Sequence, residues 1–289
     1  MVTPTPDGGG LLLVDKPAGM TSHDVVAIVR RAAQAKRVGH TGTLDPFATG
    51  LLVVLVGRGT RLIPYIDGEP KVYEAVIRFG VETDTDDLTG AVTREGSLPA
   101  ESALSDAIAR LTGEIEQIPP AFSAKKVDGT RAYDAARRGN PLDLQASRVT
   151  VHRWTVVHRT TNELTAEITC SGGTYVRALA RDLGRFANSA AHLAALRRTR
   201  SGPFDVADAV TIDQIRAGQL PLQPLRSGVP SLPIQQLDEA EMKRVVHGNP
   251  IAARTVGQRV ALIDDEQILI AVADRAADEL RPALVLRDG

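Results

Sequence analysis

Residues 39–50 read GHTGTLDPFATG: three glycines and three threonines around His40 and Asp45, with Pro46 immediately after the aspartate. Residues 22–36 ahead of it carry a helical pattern, and residues 51–56 behind it form an unbroken apolar run. Pro46 pushes Asp45 out of the helical region, while the glycines permit positive φ or close approach of another chain. A loop of this kind between two ordered elements holds a short carboxylate at one place and angle. On composition alone, an ordinary Gly/Thr/Asp/Pro turn explains the stretch equally well.

Outward from this loop the chain alternates strands and helices. Residues 11–14 make a short apolar strand, ended by Asp15, Lys16, Pro17 and Gly19. Thr21, followed three residues later by Asp24, has the spacing of a capping box for a helix to about Ala35. Val25, Ile28, Val29, Ala32 and Ala33 form its apolar stripe. Residues 51–56 are apolar on both faces, as in a central strand, and 61–66 follow as a short helix. Residues 72–79 alternate with period two, which predicts a strand with two distinct faces. The acidic stretch 80–90, GVETDTDDLTG, lacks the acid spacing of a calcium loop and reads as a solvated turn.

Residues 100–111 have helical spacing, with Gly113 as terminator. Residues 117–139 carry Lys125, Lys126, Arg131, Arg137 and Arg138 behind a proline-rich opening; they read as a mobile basic segment or as a solvated hairpin. Strands are expected at 148–157 and 164–169. Residues 170–173 then lead into a helix near Thr174, striped by Val176, Leu179, Ala180 and Leu183 and closed by Gly184. Arg177 falls in its first turn, where a cation opposes the helix dipole and, if buried, requires a carboxylate or phosphate partner. Residues 218–233 hold four prolines and two glycines and read as a boundary. A short helix at 237–246 and strands at 259–263, 267–272 and 283–287 suit a small β domain.

The chain has 289 residues, enough for two domains, and 43% hydrophobic residues. A formal charge of −1 excludes a whole-surface basic binder but leaves room for a local basic track. Residues 81–116 carry nine acids against two bases, residues 120–160 eight bases against three acids, and residues 170–200 six arginines against one aspartate. The two basic stretches either line one face for a polyanion or are solvated helix faces. One cysteine, Cys170, excludes an internal disulfide and a cysteine-based metal site. The six histidines form no spaced metal cluster, and no metal is assigned. No stretch reaches the roughly 20 apolar residues of a membrane span. Residues 1–10 read as a disordered lead rather than a signal peptide, so a cytoplasmic protein without membrane association is expected.

Four segments stand in a recognisable order: LLVDKPAGM (12–20), GHTGTLDPFATG (39–50), KVYEAVIRFG (71–80) and CSGGTYVRALARDLG (170–184). Together they resemble the TruB family of tRNA pseudouridine synthases, and the resemblance runs through about residues 10–205. It implies an α+β pseudouridine synthase fold with a mixed, mostly antiparallel sheet over residues 11–218. A basic RNA-contacting insertion lies at about 120–147, a linker at 219–233, and a small PUA-like β domain at 234–289. That last domain is acidic, with seven acids against three arginines over 264–289, so structural capping rivals RNA contact as its role.

The resemblance implies isomerisation of uridine 55 in the T loop of tRNA, the target base being flipped out of its stack. Asp45 is the implied catalytic carboxylate, Arg177 the cation that favours its charged form and orients it, and Tyr73 the residue that stacks on the base. His40, Thr43, Tyr175 and Leu196 are implied substrate contacts, and Lys125, Lys126, Arg197 and Arg198 implied RNA contacts. Lys16 has a structural role, with phosphate contact as a lesser one, and Asp84 or Asp87 helps recognise the RNA loop. No cofactor is required, because the reaction has no net redox change or group donation, and no obligate protein partner is expected. Two other classes remain: an RNA-binding or RNA-folding protein using the same cleft, and a nucleoside hydrolase, which would release free uracil.

Overall fold

The computed structural model describes residues 8–123, 125–127, 130–140 and 142–287; the side chains at 126, 127, 130, 131 and 134 lie outside that description. The chain forms two compact units, one from the segments up to Gly68 and from Ser201 onward, the other Glu69–Arg200.

The first unit opens with β1 (Gly9–Lys16), α1 (Ser22–Ala32), β2 (Val38–His40) and β3 (Thr49–Gly57). β1 and β3 pair antiparallel from Gly9↔Gly57 to Lys16↔Gly50. Strict alternation sends Leu12, Val14, Leu52 and Val54 to one face, where they pack with Val25, Val26 and Val29 of α1. Leu11, Leu13, Leu51, Val53 and Leu55 take the other face and pack with Ala261, Ile263, Leu269, Val272 and Leu284 near the C-terminus. A strand covered on both sides has no polar face, which is why residues 51–56 are uniformly apolar. Each fully buried leucine here contributes about 1.5–3 kcal/mol.

α1 begins at the expected capping box: Thr21 Oγ1 accepts from the Asp24 N–H at 3.1 Å, and Asp24 accepts from the Thr21 N–H at 2.9 Å. It ends at Ala32, short of the expected boundary, and Gln34 at φ 50° turns the chain away. The expected lead is also shorter than its composition indicates. Residues 1–7 lie outside the described residues, but Gly9 and Gly10 already belong to β1. A Cβ at Gly9 would come within 2.5 Å of the Val56 carbonyl oxygen, so this glycine permits close strand approach.

The second unit carries β4 (Lys71–Phe79), β5 (Val81–Thr83), β6 (Val92–Glu95), α2 (Glu101–Arg110) and β7 (Gly113–Gln117). It continues with β8 (Lys126–Val127), β9 (Thr130–Arg131), α3 (Ala132–Arg137), β10 (Ser147–Arg159), β11 (Glu163–Cys170), α4 (Val176–Phe186) and β12 (Ala191–Ser201). Its sheet runs β12–β4–β11–β10–β7, and β4, β11, β10 and β7 pair antiparallel in turn. Along β4 the predicted alternation holds: Tyr73, Ala75, Ile77 and Phe79 are buried, while Glu74 and Arg78 are exposed. The α4 stripe of Val176, Leu179, Ala180 and Leu183 is likewise buried.

Gly184 does not end α4, which runs on to Phe186. A Cβ there would sit 2.6 Å from the Ala191 nitrogen and 2.8 Å from the Ala190 carbonyl carbon, so the residue permits close approach of β12's entry. Both neighbours are backbone and cannot swing aside. Gly184→Ala is therefore expected to destabilise the protein by about 1–3 kcal/mol through overpacking, despite alanine's better helix propensity. Urea unfolding would show this as a lower midpoint at unchanged slope.

The chain then returns to the first unit, through β13 (Phe204–Asp205), β14 (Val210–Thr211) and α5 (Ile212–Arg216). β14 adds to β1 in parallel, which makes the sheet mixed but mostly antiparallel. The proline-rich stretch after α5 is packed rather than a free tether. Gln223 exchanges both backbone bonds with Leu11 at 3.0 and 2.8 Å, and Leu220, Leu225 and Val229 are buried. Proline removes donors from such a segment without preventing it from filling a groove. The last elements are β15 (Ile234–Gln236), α6 (Glu239–Val246), β16 (Ile251–Ala252), β17 (Arg259–Ile263), β18 (Leu269–Ala276) and β19 (Glu279–Val285). They form a small sheet in the order β15–β17–β18–β19–β16, as the pattern at the C-terminus predicts. Arg58 and Arg61 donate to the carbonyls of Leu286 and Val285 at 3.2 and 2.6 Å, tying this sheet to the 3-10 helix Arg58–Tyr65 after β3. No described helix is long and apolar enough to cross a membrane.

Candidate active site

The Asp45 loop is anchored on both sides of the aspartate. On one side Leu44 is held by Ser22, whose hydroxyl accepts from the Leu44 N–H at 2.8 Å and donates to the Leu44 carbonyl at 3.1 Å. On the other side the Pro46 carbonyl accepts from the Gly19 N–H at 2.8 Å and from Lys16 Nζ at 3.3 Å. Asp45 itself closes a turn, its carbonyl accepting from the Ala48 N–H at 3.1 Å. Gly50 leaves the loop at φ 100°, a conformation open to glycine at little cost. Asp45 is thereby fixed in its backbone and is half-buried rather than closed off, which suits a group that must meet a substrate.

Lys16 is fully buried and donates also to the carbonyls of Pro17 and Met20, at 2.9 and 2.7 Å. Three carbonyl acceptors satisfy the charge-assisted donors of a buried ammonium, and no phosphate reaches it in this conformation. His40 ends β2 half-buried, and Thr43 is exposed on the loop.

The second unit carries Tyr73, Tyr175, Arg177 and Leu196. Tyr73 lies buried on β4, in register with Ile168. Tyr175 caps α4 and is held through its backbone by Gln117, a buried residue the sequence reading does not single out. Gln117 Oε1 accepts from the Tyr175 N–H at 2.8 Å, and Gln117 Nε2 donates to the Tyr175 carbonyl at 3.1 Å. Leu196 is buried on β12.

Arg177 is 4% exposed, which removes the reading as an ordinary surface arginine. Within its own unit it donates to the carbonyls of Thr85 at 2.9 Å and Phe122 at 3.0 Å, and lies 3.6 Å from Asp87 Oδ2. Asp87 is 4% exposed, and its carboxylate also accepts from Thr85 Oγ1, the Thr89 N–H and Thr89 Oγ1 at 2.8, 2.9 and 2.6 Å. Asp87 is thus held as a partner of Arg177 in this structure, while Asp84 is exposed and accepts from the Ala91 N–H at 2.9 Å.

The acidic stretch 80–90 is accordingly not a solvated turn. Glu82, Thr83, Asp86 and Asp87 are all buried. Arg181 and Arg185, one and two turns along α4 from Arg177, pair with Asp86 at 2.9 Å and with Glu82. Paired to arginine, these carboxylates meet the requirement for burying charge. Arg185 and Arg94 hold the Glu82 carboxyl below its usual range against the burial that would raise it. Three of the six arginines in residues 170–200 therefore face this acidic loop and do not form a polyanion track.

Arg198 is 2% exposed on β12 and closed to a phosphate in this conformation, whereas Arg197 is half-buried. Lys125 is half-buried and donates to Ser147, and the side chain of Lys126 lies outside the described ones. The basic segment is tied down in part: Ala132 donates to the Lys125 carbonyl at 2.8 Å, and Tyr133 to the Ser123 carbonyl at 3.0 Å. Arg137 stacks over the Tyr133 ring at 4.6 Å, and Arg137 and Arg138 are exposed. Among the described residues, no three His, Cys, Asp or Glu side chains converge as a metal site would require.

Comparison with known proteins places this arrangement in a family. Residues 30–176 match the model of the TruB family pseudouridylate synthase N-terminal domain, and residues 177–227 that of the tRNA pseudouridylate synthase B C-terminal domain. The chain is 45% identical to the tRNA pseudouridine synthase B of Thermobifida fusca, over 96% of this chain and 98% of that one. It is 42% identical to that of an Arthrobacter species, over 96% of each. Among solved structures it shares its fold with a chain of a Cbf5–Nop10–Gar1 complex, at TM-score 0.73 and 24% identity, covering 98% of this chain and 86% of that one. With 96% of the chain aligned at this identity to proteins of one kind, and both family models matched in sequence, this protein belongs to the TruB family of pseudouridine synthases.

Proposed function

We propose that this protein isomerises one uridine of tRNA to pseudouridine, the target being uridine 55 of the T loop. The observation that carries the reading is the Asp45 loop: a half-buried aspartate whose neighbours on both sides are locked, in a chain of this family. The names borne by the relatives supply the substrate class, tRNA. The cytoplasm, where tRNA is matured, is the compartment this reading implies.

In this reading Asp45 acts as nucleophile, adding to C6 of the uracil or attacking C1′ of the ribose as the N1–C1′ bond breaks. On either route the N1–C1′ bond breaks, the base turns, C5 bonds to C1′, the bond from Asp45 to C6 or C1′ breaks and restores the carboxylate, the C5 proton leaves to solvent, and N1 takes up a proton, so product and substrate are isomers. Arg177 orients the Asp45 carboxylate. Tyr73 stacks against the extruded base, with Tyr175, Leu196, His40 and Thr43 as further contacts; extrusion costs a few kcal/mol, which loop and phosphate contacts offset. Lys125, Lys126, Arg197 and the exposed Arg137 and Arg138 attract the RNA backbone, so affinity falls as salt rises.

Incubation with an unmodified tRNA transcript, followed by carbodiimide treatment and primer extension, tests this. One new stop at the T-loop uridine is the expected result, absent when that uridine is replaced by cytidine. A tRNA bound tightly yet unmodified would overturn the enzymatic reading and favour an RNA-folding role.

A further inference from the structure

Arg177 and Arg181 sit one turn apart on α4 and do parallel work. Each bridges the same two segments, the acidic loop after β5 and the stretch after β7. Arg177 reaches Thr85 O and Phe122 O, at 2.9 and 3.0 Å; Arg181 reaches Asp86 Oδ2 and Ile118 O, both at 2.9 Å. Arg181 is 8% exposed and Asp86 5%, so neither is an incidental surface ion pair. Asp86 also sits at a tight bend. Its φ is 59°, its N–H donates to the Thr83 carbonyl at 3.1 Å, and its carbonyl accepts from the Leu193 N–H at 3.0 Å. The residue whose carboxylate meets Arg181 thus directly follows Thr85, whose carbonyl holds Arg177, and directly precedes Asp87, its carboxylate partner.

We propose that Asp86 and Arg181 are positioning residues for Arg177: their ion pair holds the loop so that Thr85 O and Asp87 orient the Arg177 guanidinium. This rests on the reading that Arg177 serves uridine isomerisation. Without the pair, Arg181 keeps Asp182 on its own helix and Ile118 O, while the loop loses its tie to α4 at the bend and retains those of Asp87 to Arg177 and Glu82 to Arg185 on either side of it. Displacements of about 1 Å around a reacting centre cost on the order of a hundredfold in rate, which is why so remote a pair matters.

The charged groups acting on Asp86 are Arg181, Arg177 and Arg185 from α4, with Asp182 competing for Arg181, and Glu82 from β5; from β12 the Leu193 N–H reaches its carbonyl, and His192 Nδ1 lies 2.9 Å from Val81 O. Burial raises the Asp86 carboxyl to about 6, against the opposing pull of Arg181 and Arg177. A folded value above the ordinary 3.8 means a stability contribution present below 3.8 and lost as pH rises through about 6. The charge at neutral pH is therefore held at a cost to the fold. Asparagine tolerates the left-handed bend as aspartate does and mimics the uncharged carboxyl, so Asp86→Asn is expected to fold.

Single-turnover rates on tRNA, measured from pH 5 to 8 with tRNA affinity alongside, test the proposal. Wild type should slow as pH falls through about 6, as Asp86 takes up its proton. Asp86→Asn should be roughly tenfold or more slower at pH 7.5, with affinity changed less than about twofold and no such acid limb. A rate within about twofold of wild type, or an acid limb that survives in Asp86→Asn and so belongs to another group, would overturn it. Arg181→Lys provides the second variant, keeping the charge but losing the fork that spans Asp86 and Ile118. It should be slow while retaining the acid limb, and a wild-type rate there would count equally against the proposal. Asp45→Asn run in parallel separates the two failures. If it is inactive while Asp86→Asn behaves as wild type, only the positioning role falls; if Asp45→Asn is fully active, the functional reading falls first.

Discussion

Asp45→Asn is expected to abolish pseudouridine formation, by at least roughly 10³-fold, while tRNA affinity stays within about threefold of wild type. The amide has nearly the carboxylate's shape, so the anchored loop has no reason to rearrange. Ser22 still holds Leu44, and Lys16 and Gly19 still hold Pro46. What is lost is the nucleophile. An uncharged amide neither adds to C6 nor attacks C1′, and no other carboxylate lies within the 39–50 loop. Primer-extension mapping and filter binding on the same tRNA measure the two halves of this expectation. A variant that binds normally and still modifies the T-loop uridine at a comparable rate would remove Asp45 from the chemistry.

Arg177→Met is expected to lose both activity and stability. Methionine fills much of the volume but leaves Asp87 buried beside no guanidinium and the Thr85 and Phe122 carbonyls without their donor. Breaking a buried ion pair from one side costs about 3–5 kcal/mol, since the remaining charge stays desolvated. For a chain of this size that corresponds to a melting-temperature drop of roughly 10 °C. The double variant Arg177→Met/Asp87→Asn removes the stranded charge and should recover part of the stability but none of the activity. Thermal melts of the three proteins, with tritium release measured on each, check both parts. Recovered activity in the double variant would show that Arg177 acts only through the fold.

The local elements were legible because their signals are local. The Thr21/Asp24 cap, the alternation of residues 72–79 and the two-sided apolar run of residues 51–56 all correspond to observed elements. The α4 stripe also held, though the fate of Gly184 did not: its signal is the backbone of residues 190–191, which only packing brings near. The acidic stretch 80–90 misleads for a similar reason. Its partners stand about 90 residues later in the chain, and a run of acids looks solvated until those arginines are seen. A signal was nonetheless present: Arg177, Arg181 and Arg185 repeat every four residues on the flank of an apolar stripe, too close to the core for free solvation. Gln117 gives no such sign, since one glutamine at a strand end has no pattern to betray that it holds the residue before a distant helix.

For the site, Asp45, Tyr73 and Arg177 came from motif resemblance together with residue chemistry, and the burial of Arg177 agrees with the expectation that it needs a partner. The two basic stretches were less informative than their totals, because charge counts along a chain do not say which cations are already paired.

The central claim, that the protein moves a base within one nucleotide rather than merely binding RNA or cutting a glycosidic bond, is tested most directly by tritium release from tRNA labelled at C5 of its uridines. Free uracil is measured in the same samples. The account predicts release equivalent to one uridine per tRNA, at the T-loop position, with no free uracil. Tight binding without tritium release, or free uracil that still carries its C5 label, would contradict it.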